Sequence, residues 1–257
     1  MRVSALLTFL LLLTTCLFRA PVWAEPVPIS EGRDDEIVSD EEWEGKGEEV
    51  ETVPINDPIQ PYNRAIFTFN DKVYYYVIKP MYKGYNEVVP LRTRLSVRNF
   101  FSNLRMPIRL VNCLLQGKFK GTGVEALRFT INSTVGMAGL FDPAKSEFNL
   151  HLQDEDFGQT LGKYKAGLGI FIEWPFIGPS DVRDTIGYAG DVALDPLTIL
   201  SFVVSPYATS GAGIYDVFNE FSIDRGESYE SITKPAIDPY IAHQDAYIQN
   251  RVKKIKE

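Results

Sequence analysis

Apolar residues recur along most of this chain at steps of three and four, the spacing of one helical face, and strict alternation is scarce. Asp57-Pro58 reads as the start of the folded part, an N-cap residue followed by proline at the first helical position. Ile59, Tyr62, Ile66, Phe69, Val73 and Val77 form one stripe, and Phe67, Tyr74 and Ile78 widen it until the helix is apolar around most of its girth. Such a helix needs protein or lipid on nearly every side. Pro80 and Gly84 are expected to end it.

A second helix is expected from about Leu91 to Leu104, and Met106-Pro107 either kinks it or starts another that reaches a C-terminal cap at Gly117. Residues 119–131 are again helical by spacing. They deliver the chain to residues 128–144, R-F-T-I-N-S-T-V-G-M-A-G-L-F-D-P-A, where glycine spacing and apolar side chains coincide. Gly136 and Gly139 alternate with Val135, Met137, Ala138, Leu140 and Phe141 before Asp142-Pro143 closes the segment. Loops usually combine glycine with polar residues because they run through water. This one wants another protein surface or lipid around it. On this stretch alone, a buried connection with two glycines for tight packing is an equal alternative.

Glycines at 158, 162, 167 and 169 argue against a long helix over residues 154–169 and leave loops, a short hairpin or a broken segment. Ser180 is expected to cap a helix with Asp181 and Asp184 in its first turn, as the macrodipole prefers. Asp195-Pro196 restarts the chain into L-T-I-L-S-F-V-V, residues 197–204, which is too short to span a bilayer but suited to lie against one. Ile214, Val217, Phe218 and Phe221 mark a further amphipathic helix. Ile241, Ile248, Val252 and Ile255 mark the last, with Lys253, Lys254 and Lys256 at the end where cations are favoured. The fold class is therefore all-α, as one domain over residues 55–257.

The N-terminus is different in kind. Residues 1–24 read as a secretory signal, with Arg2, an apolar run through Phe18 and a small-x-small site at Val22-Trp23-Ala24. Cleavage after Ala24 is the first reading. The competing one is lipidation of Cys16, because Leu13-Thr14-Thr15-Cys16 resembles a lipoprotein processing box, although Thr15 stands where Gly, Ala or Ser is usual. Residues 25–54 carry dense carboxylates and few large apolar side chains, the composition of a flexible, disordered acidic linker.

Charge changes the picture little beyond that. The formal net charge is −8, but between Glu25 and Thr52 twelve acidic residues face only Arg33 and Lys46, so the chain from Val53 onward is near neutral. No basic footprint for nucleic acid is present. The apolar fraction of 45% is globular, and 13 Tyr with 16 Phe suit either a core or a membrane interface. Two cysteines, Cys16 in the leader and Cys113, leave no disulfide in the mature chain, and Cys113 is most simply a small core hydrophobe.

No catalytic constellation is legible. H-E-x-x-H, paired C-x-x-C, G-x-S-x-G and the P-loop motif are all missing. Gly121-x-Gly123-x-x-Ala126 matches a dinucleotide fingerprint by formula, but no buried strand precedes it. His151 lies near Asp154, Glu155 and Asp156, yet an exposed loop with solvated carboxylates accounts for it better than a metal or acid/base site. Asn132-Ser133-Thr134 fits a glycosylation acceptor only formally and is expected to cap or turn the chain. No catalytic residue, metal or cofactor is assigned.

Taken together, several long segments resemble the MlaA/VacJ family of outer-membrane phospholipid-transport proteins. They are residues 57–70 (D-P-I-Q-P-Y-N-R-A-I-F-T-F-N), 97–117 (V-R-N-F-F-S-N-L-R-M-P-I-R-L-V-N-C-L-L-Q-G) and 128–144, followed by 154–162 (D-E-D-F-G-Q-T-L-G), 178–184 (G-P-S-D-V-R-D) and 238–249 (D-P-Y-I-A-H-Q-D-A-Y-I-Q). Two departures stand out: the poor lipidation box at Cys16, and Gly167-Leu168-Gly169-Ile170-Phe171 where the family has G-x-G-P-Y.

The resemblance implies a ring of helices in the inner leaflet of the outer membrane. An amphipathic channel would take mislocalised phospholipid from the outer leaflet to a periplasmic lipid-carrier protein, and porin trimers would be partners. It also implies that the glycine loop is a hairpin beside the channel, with Gly136 and Gly139 permitting movement and Met137, Leu140 and Phe141 touching acyl chains. Such transport breaks no covalent bond, so no nucleophile is required. A non-catalytic envelope scaffold associated with porins is the alternative, and a lipid hydrolase ranks third.

Overall fold

A computed structural model describes residues 55–257. The signal segment, Cys16 and the acidic linker lie outside the described residues. Helix α1, Gln60–Val73, passes through a π-helical turn, Tyr74–Ile78, directly into α2, Lys79–Val88. Asp57 does not cap α1. Its carboxylate instead accepts from the Asn63 amide at 2.8 Å and from the Tyr240 hydroxyl, tying the entry of the domain to its last helix. Nor does Pro80 stop the helix. In the π turn the Lys79 N–H reaches back five residues to the Tyr74 carbonyl, and this wider turn relieves the clash that a proline ring makes with a regular α-helix.

The chain continues through α3, Leu91–Leu104, and α4, Met106–Leu115, with Pro107 starting the second of these. Gly117 adopts a left-handed conformation, where the Lys118 N–H closes on the Cys113 carbonyl at 2.9 Å. Next come α5, Phe119–Thr134, and the one-turn α6, Pro143–Ser146, on either side of the glycine loop. The tract at 154–169 holds only the short α7, Phe157–Lys163. A hairpin follows, β1 Phe171–Trp174 against β2 Gly178–Asp181, antiparallel, with Phe171 opposite Asp181 and Trp174 opposite Gly178.

The remaining helices are α8 Val182–Leu194, α9 Pro196–Leu200, α10 Pro206–Asp224, α11 Glu227–Thr233 and α12 Pro239–Lys256. Ser180 belongs to β2, and Asp181 caps α8, its carboxylate accepting the Asp184 N–H at 2.8 Å. The expected cap is one residue early, because Ser and Asp both suit the position and Asp181 is the residue whose side chain reaches the Asp184 N–H. The chain restarts at Asp195-Pro196 as expected, with Asp195 capping α9.

Contacts between elements form a closed circuit: α1, α2, α10, α3, α5, α4, α7, α12, β2, β1 and back to α1. One compact apolar cluster, Phe67, Phe171, Tyr240, Tyr247 and Ile248, sits where α1, the hairpin and α12 meet. Its rings pack edge to face, with centroids 5.8 Å apart for Phe67 and Tyr240 and 6.1 Å for Phe171 and Tyr247. No described helix is long and apolar enough to cross a membrane.

Candidate lipid-facing site

Outside that cluster the usual polarity of a globular fold is inverted. Among the described residues 24 polar or charged side chains are buried against 12 hydrophobic ones. The helices show why. In α5 the spacing of Gly121, Glu125, Arg128 and Asn132 puts a polar stripe inward, while Phe119, Leu127 and Phe129 point outward. Likewise α10 buries Thr209, Gly213, Asp216, Asn219 and Ser222 and exposes Tyr207, Ile214 and Tyr215.

Most of the buried polar groups are paired, which is what makes their burial tolerable. Arg109 of α4 donates from Nε to Glu125 Oε2 of α5 at 2.8 Å, and Glu125 Oε1 accepts the Gln153 N–H at 2.8 Å. Burial lowers the Arg109 guanidinium from its ordinary range, with the Glu125 carboxylate opposing that shift. Arg94 of α3 donates to the Ser222 carbonyl at 2.5 Å, and the Asn219 amide donates to the Arg94 carbonyl at 2.9 Å, locking α3 to α10. Cys113 is fully buried beside α5, and burial pushes its thiol up to about 11.

The outward apolar surface is broad. It includes Tyr76, Val77 and Met81 on the α1–α2 rod and Leu114 and Leu115 on α4. It also includes the turn after α9, where Phe202 is 77% and Val203 85% accessible. Contiguous exposed apolar patches on a protein surface mark contact with lipid or with another protein.

The glycine loop between α5 and α6 has two sides. Gly136 and Gly139 are buried. A Cβ on Gly136 would lie 2.5 Å from the Asn132 carbonyl oxygen and 2.6 Å from that of Phe141; Gly139, at φ +91°, would put one 2.5 Å from Asn103 Cβ. Met137 and Ala138 both adopt left-handed conformations, which turn the chain sharply outward. Met137, Leu140 and Phe141 are all exposed. Thus the glycines pack against the helices while the apolar side chains face away, joining both sequence readings of the loop.

Asn132 fastens the loop at its base. Its carbonyl accepts the Gly139 N–H at 2.8 Å, its side-chain oxygen accepts the Ala144 N–H at 3.0 Å, and its amide donates to Asp142 Oδ1 at 2.9 Å. Arg128 Nη2 donates to Asp142 Oδ2 at 2.8 Å. Burial would raise the Asp142 carboxyl, but hydrogen bonds from Arg128 and Asn132 hold it below the ordinary range. The structural role expected for residues 132–134 falls on Asn132 and on Ser133, whose hydroxyl accepts from the Asn103 amide at 3.0 Å.

Beside the loop opens a cavity of about 410 Å³, between Leu95, Arg98 and Asn99 of α3 and Asp142, Lys145, Ser146, Asn149 and His151. His151 Nε2 is 3.0 Å from Asn149 Oδ1, and the nearby carboxylates are engaged elsewhere: Asp154 with Lys254, Glu155 with Lys118, Asp156 with Arg251. Among the described residues no group of three His, Cys, Asp or Glu side chains is arranged to hold a metal. The G-x-G-x-x-A match lies within the first turns of α5, where Gly121 packs against Cys113 and Gln153, with no strand ahead of it.

The inward polar stripe was the main feature missed in the sequence. Its signal is the spacing of Glu125, Arg128 and Asn132, which an apolar-face reading of the helix does not register.

The chain matches the family model described as MlaA lipoprotein over residues 55–254. It is 30% identical over 205 residues to the intermembrane phospholipid transport system lipoprotein MlaA of Haemophilus influenzae, spanning 79% of this chain and 80% of that protein. The protein of the same description from Escherichia coli strain K12 is 30% identical over 198 residues, 76% of each chain. An uncharacterized protein of Rickettsia bellii is 33% identical over 201 residues, 77% of this chain and 76% of its own. A solved structure described as the structural basis for maintenance of bacterial outer membrane lipid asymmetry is similar at a TM-score of 0.68 and 29% identity, covering 78% of this chain and 99% of that one. On this agreement of sequence and fold, the chain belongs to the MlaA lipoprotein family.

Proposed function

We propose that this protein is a non-catalytic phospholipid transporter of the outer membrane. It lies in the inner leaflet, removes mislocalised phospholipid from the outer leaflet through an amphipathic path, and passes it to a periplasmic carrier. The carrying observation is the inverted polarity: a polar interior whose buried charges are largely paired and an apolar exterior suit helices immersed in acyl chains around a route that tolerates headgroups. The closed circuit of contacts supports a ring. Porin trimers are the proposed neighbours for part of the apolar exterior.

In this reading residues 136–141 form the element beside the lipid path. Met137, Leu140 and Phe141 meet acyl chains, and the left-handed turn at 137–139 is where the loop changes conformation. The test is the amount of phospholipid exposed on the surface of cells lacking the gene, read by headgroup labelling that cannot enter the cell. Exposure should rise on deletion and fall when the gene is restored. Unchanged exposure, with the protein located in the outer membrane, would replace transport with a scaffold role.

A further inference from the structure

We propose that the cavity beside the glycine loop is a binding site for the phosphodiester of a phospholipid headgroup, held by Arg98 of α3 and Lys145 of α6. The two cations approach from separate elements across an opening of about 410 Å³. Among the described residues neither forms an ion pair. The Asn99 and Asn149 amides line the same space and supply neutral donors. The nearest carboxylate, Asp142, is already neutralised by Arg128 and bonded to Asn132, so the cavity carries an excess of positive charge.

Two other carboxylates lie close by. Glu147 takes the Ser146 hydroxyl at 3.2 Å, and Glu220 of α10 attracts Arg98 while burial raises its carboxyl towards the neutral form. Neither closes the cavity to an anion.

What distinguishes a lipid phosphate from a free one is the apolar surround. Leu95 lines the cavity itself, and the residues preceding Asp142 and Asn149 in the chain, Phe141 and Phe148, are both exposed. A diester with acyl chains uses both features; inorganic phosphate uses only the charges. The lipid source rests on the transport reading above, whereas the cationic cavity does not.

The test is a titration of the purified full-length protein with dihexanoyl phosphatidylglycerol and, separately, with inorganic phosphate. Replacing both cations in R98Q/K145Q should weaken lipid binding on the order of tenfold or more, since charge-assisted hydrogen bonds to phosphate are lost, and R98K/K145R should retain most of it. Inorganic phosphate should bind more weakly than the lipid and compete with it. Equal lipid affinity in wild type and R98Q/K145Q overturns the proposal. Inorganic phosphate binding as tightly as the lipid overturns the lipid assignment.

If the double variant does not fold, K145Q alone, at an exposed position, gives the same comparison with a smaller loss. The two readings fail separately. Binding that depends on Arg98 and Lys145, together with surface phospholipid unaffected by gene deletion, keeps the cavity and removes transport. Raised surface phospholipid on deletion, with unaltered binding in R98Q/K145Q, does the reverse.

Discussion

Arg251, near the end of α12, grips Asp156, the N-cap of α7, through two parallel hydrogen bonds of 2.6 and 2.9 Å, joining segments 95 residues apart. Arg251 also pairs with Asp184 in the first turn of α8, so one guanidinium holds three helices. Burial would raise the Asp156 carboxyl, but Arg251 holds it down to about 2. Arg251→Met leaves two carboxylates without their partner and should cost about 3–5 kcal/mol of stability.

The sign of its pH dependence follows from the lowered folded value. The pair stabilises fully above the unfolded carboxylate range, near ~4, and its contribution disappears as pH falls through about 2. Thermal unfolding in detergent should therefore show a large deficit for the variant at neutral pH that narrows towards pH 2. A deficit of constant size would refute the linkage.

Asp191 titrates in the opposite sense. Burial first, then the nearby Asp156 charge, push it up to about 7, although the Phe157 N–H and the Asn112 amide bond to it. The folded state thus holds this proton more tightly than the unfolded state does. Its contribution is present below ~4 and is lost as pH rises through about 7. Asp191→Asn keeps an acceptor and removes the titration, so its stability relative to wild type should improve progressively from pH 4 to pH 7. Parallel profiles of melting temperature for the two proteins would contradict this.

The helical framework was legible because helix faces repeat whatever medium they meet. The start near Leu91, the cap at Gly117 and the restart at Asp195-Pro196 followed from local chemistry, and of the two readings open at Met106-Pro107 the structure takes the new helix. Pro80 does not end the helix because its tolerance depends on the π turn Tyr74–Ile78 just upstream, which no local preference announces. The orientation of the faces was not legible either: Phe129 and Leu127 look like core residues until Glu125 and Arg128 are seen to hold the inside. Arg98 and Lys145 come together only through the fold, from α3 and α6, and no sequence spacing links them.

If the apolar exterior is immersed in lipid, charging it should weaken membrane association without unfolding the chain. Phe202 and Val203 are almost free of protein contacts, so Phe202→Lys with Val203→Lys should leave the melting temperature within a few degrees. Each lost side chain removes roughly 1.5–3 kcal/mol of transfer free energy, enough to reduce co-flotation with phospholipid vesicles about tenfold or more. Undiminished flotation would mean that this turn meets a protein partner instead.

The glycine loop makes separable predictions for its two sides. Gly136→Val places a side chain against the Asn132 and Phe141 carbonyls, and Gly139→Val adds a branched residue at φ +91° against Asn103. Each should cost on the order of 1–3 kcal/mol through overpacking and backbone strain, and should lower the melting temperature. Met137→Asp and Phe141→Asp alter the more exposed side chains of the loop and should cost less stability than either valine. In cells, both sets should leave phospholipid on the outer surface when they replace the wild-type gene. If the aspartate variants clear it as well as wild type does, the exposed apolar side chains are not lipid contacts, and the loop serves only to pack α5 against α3.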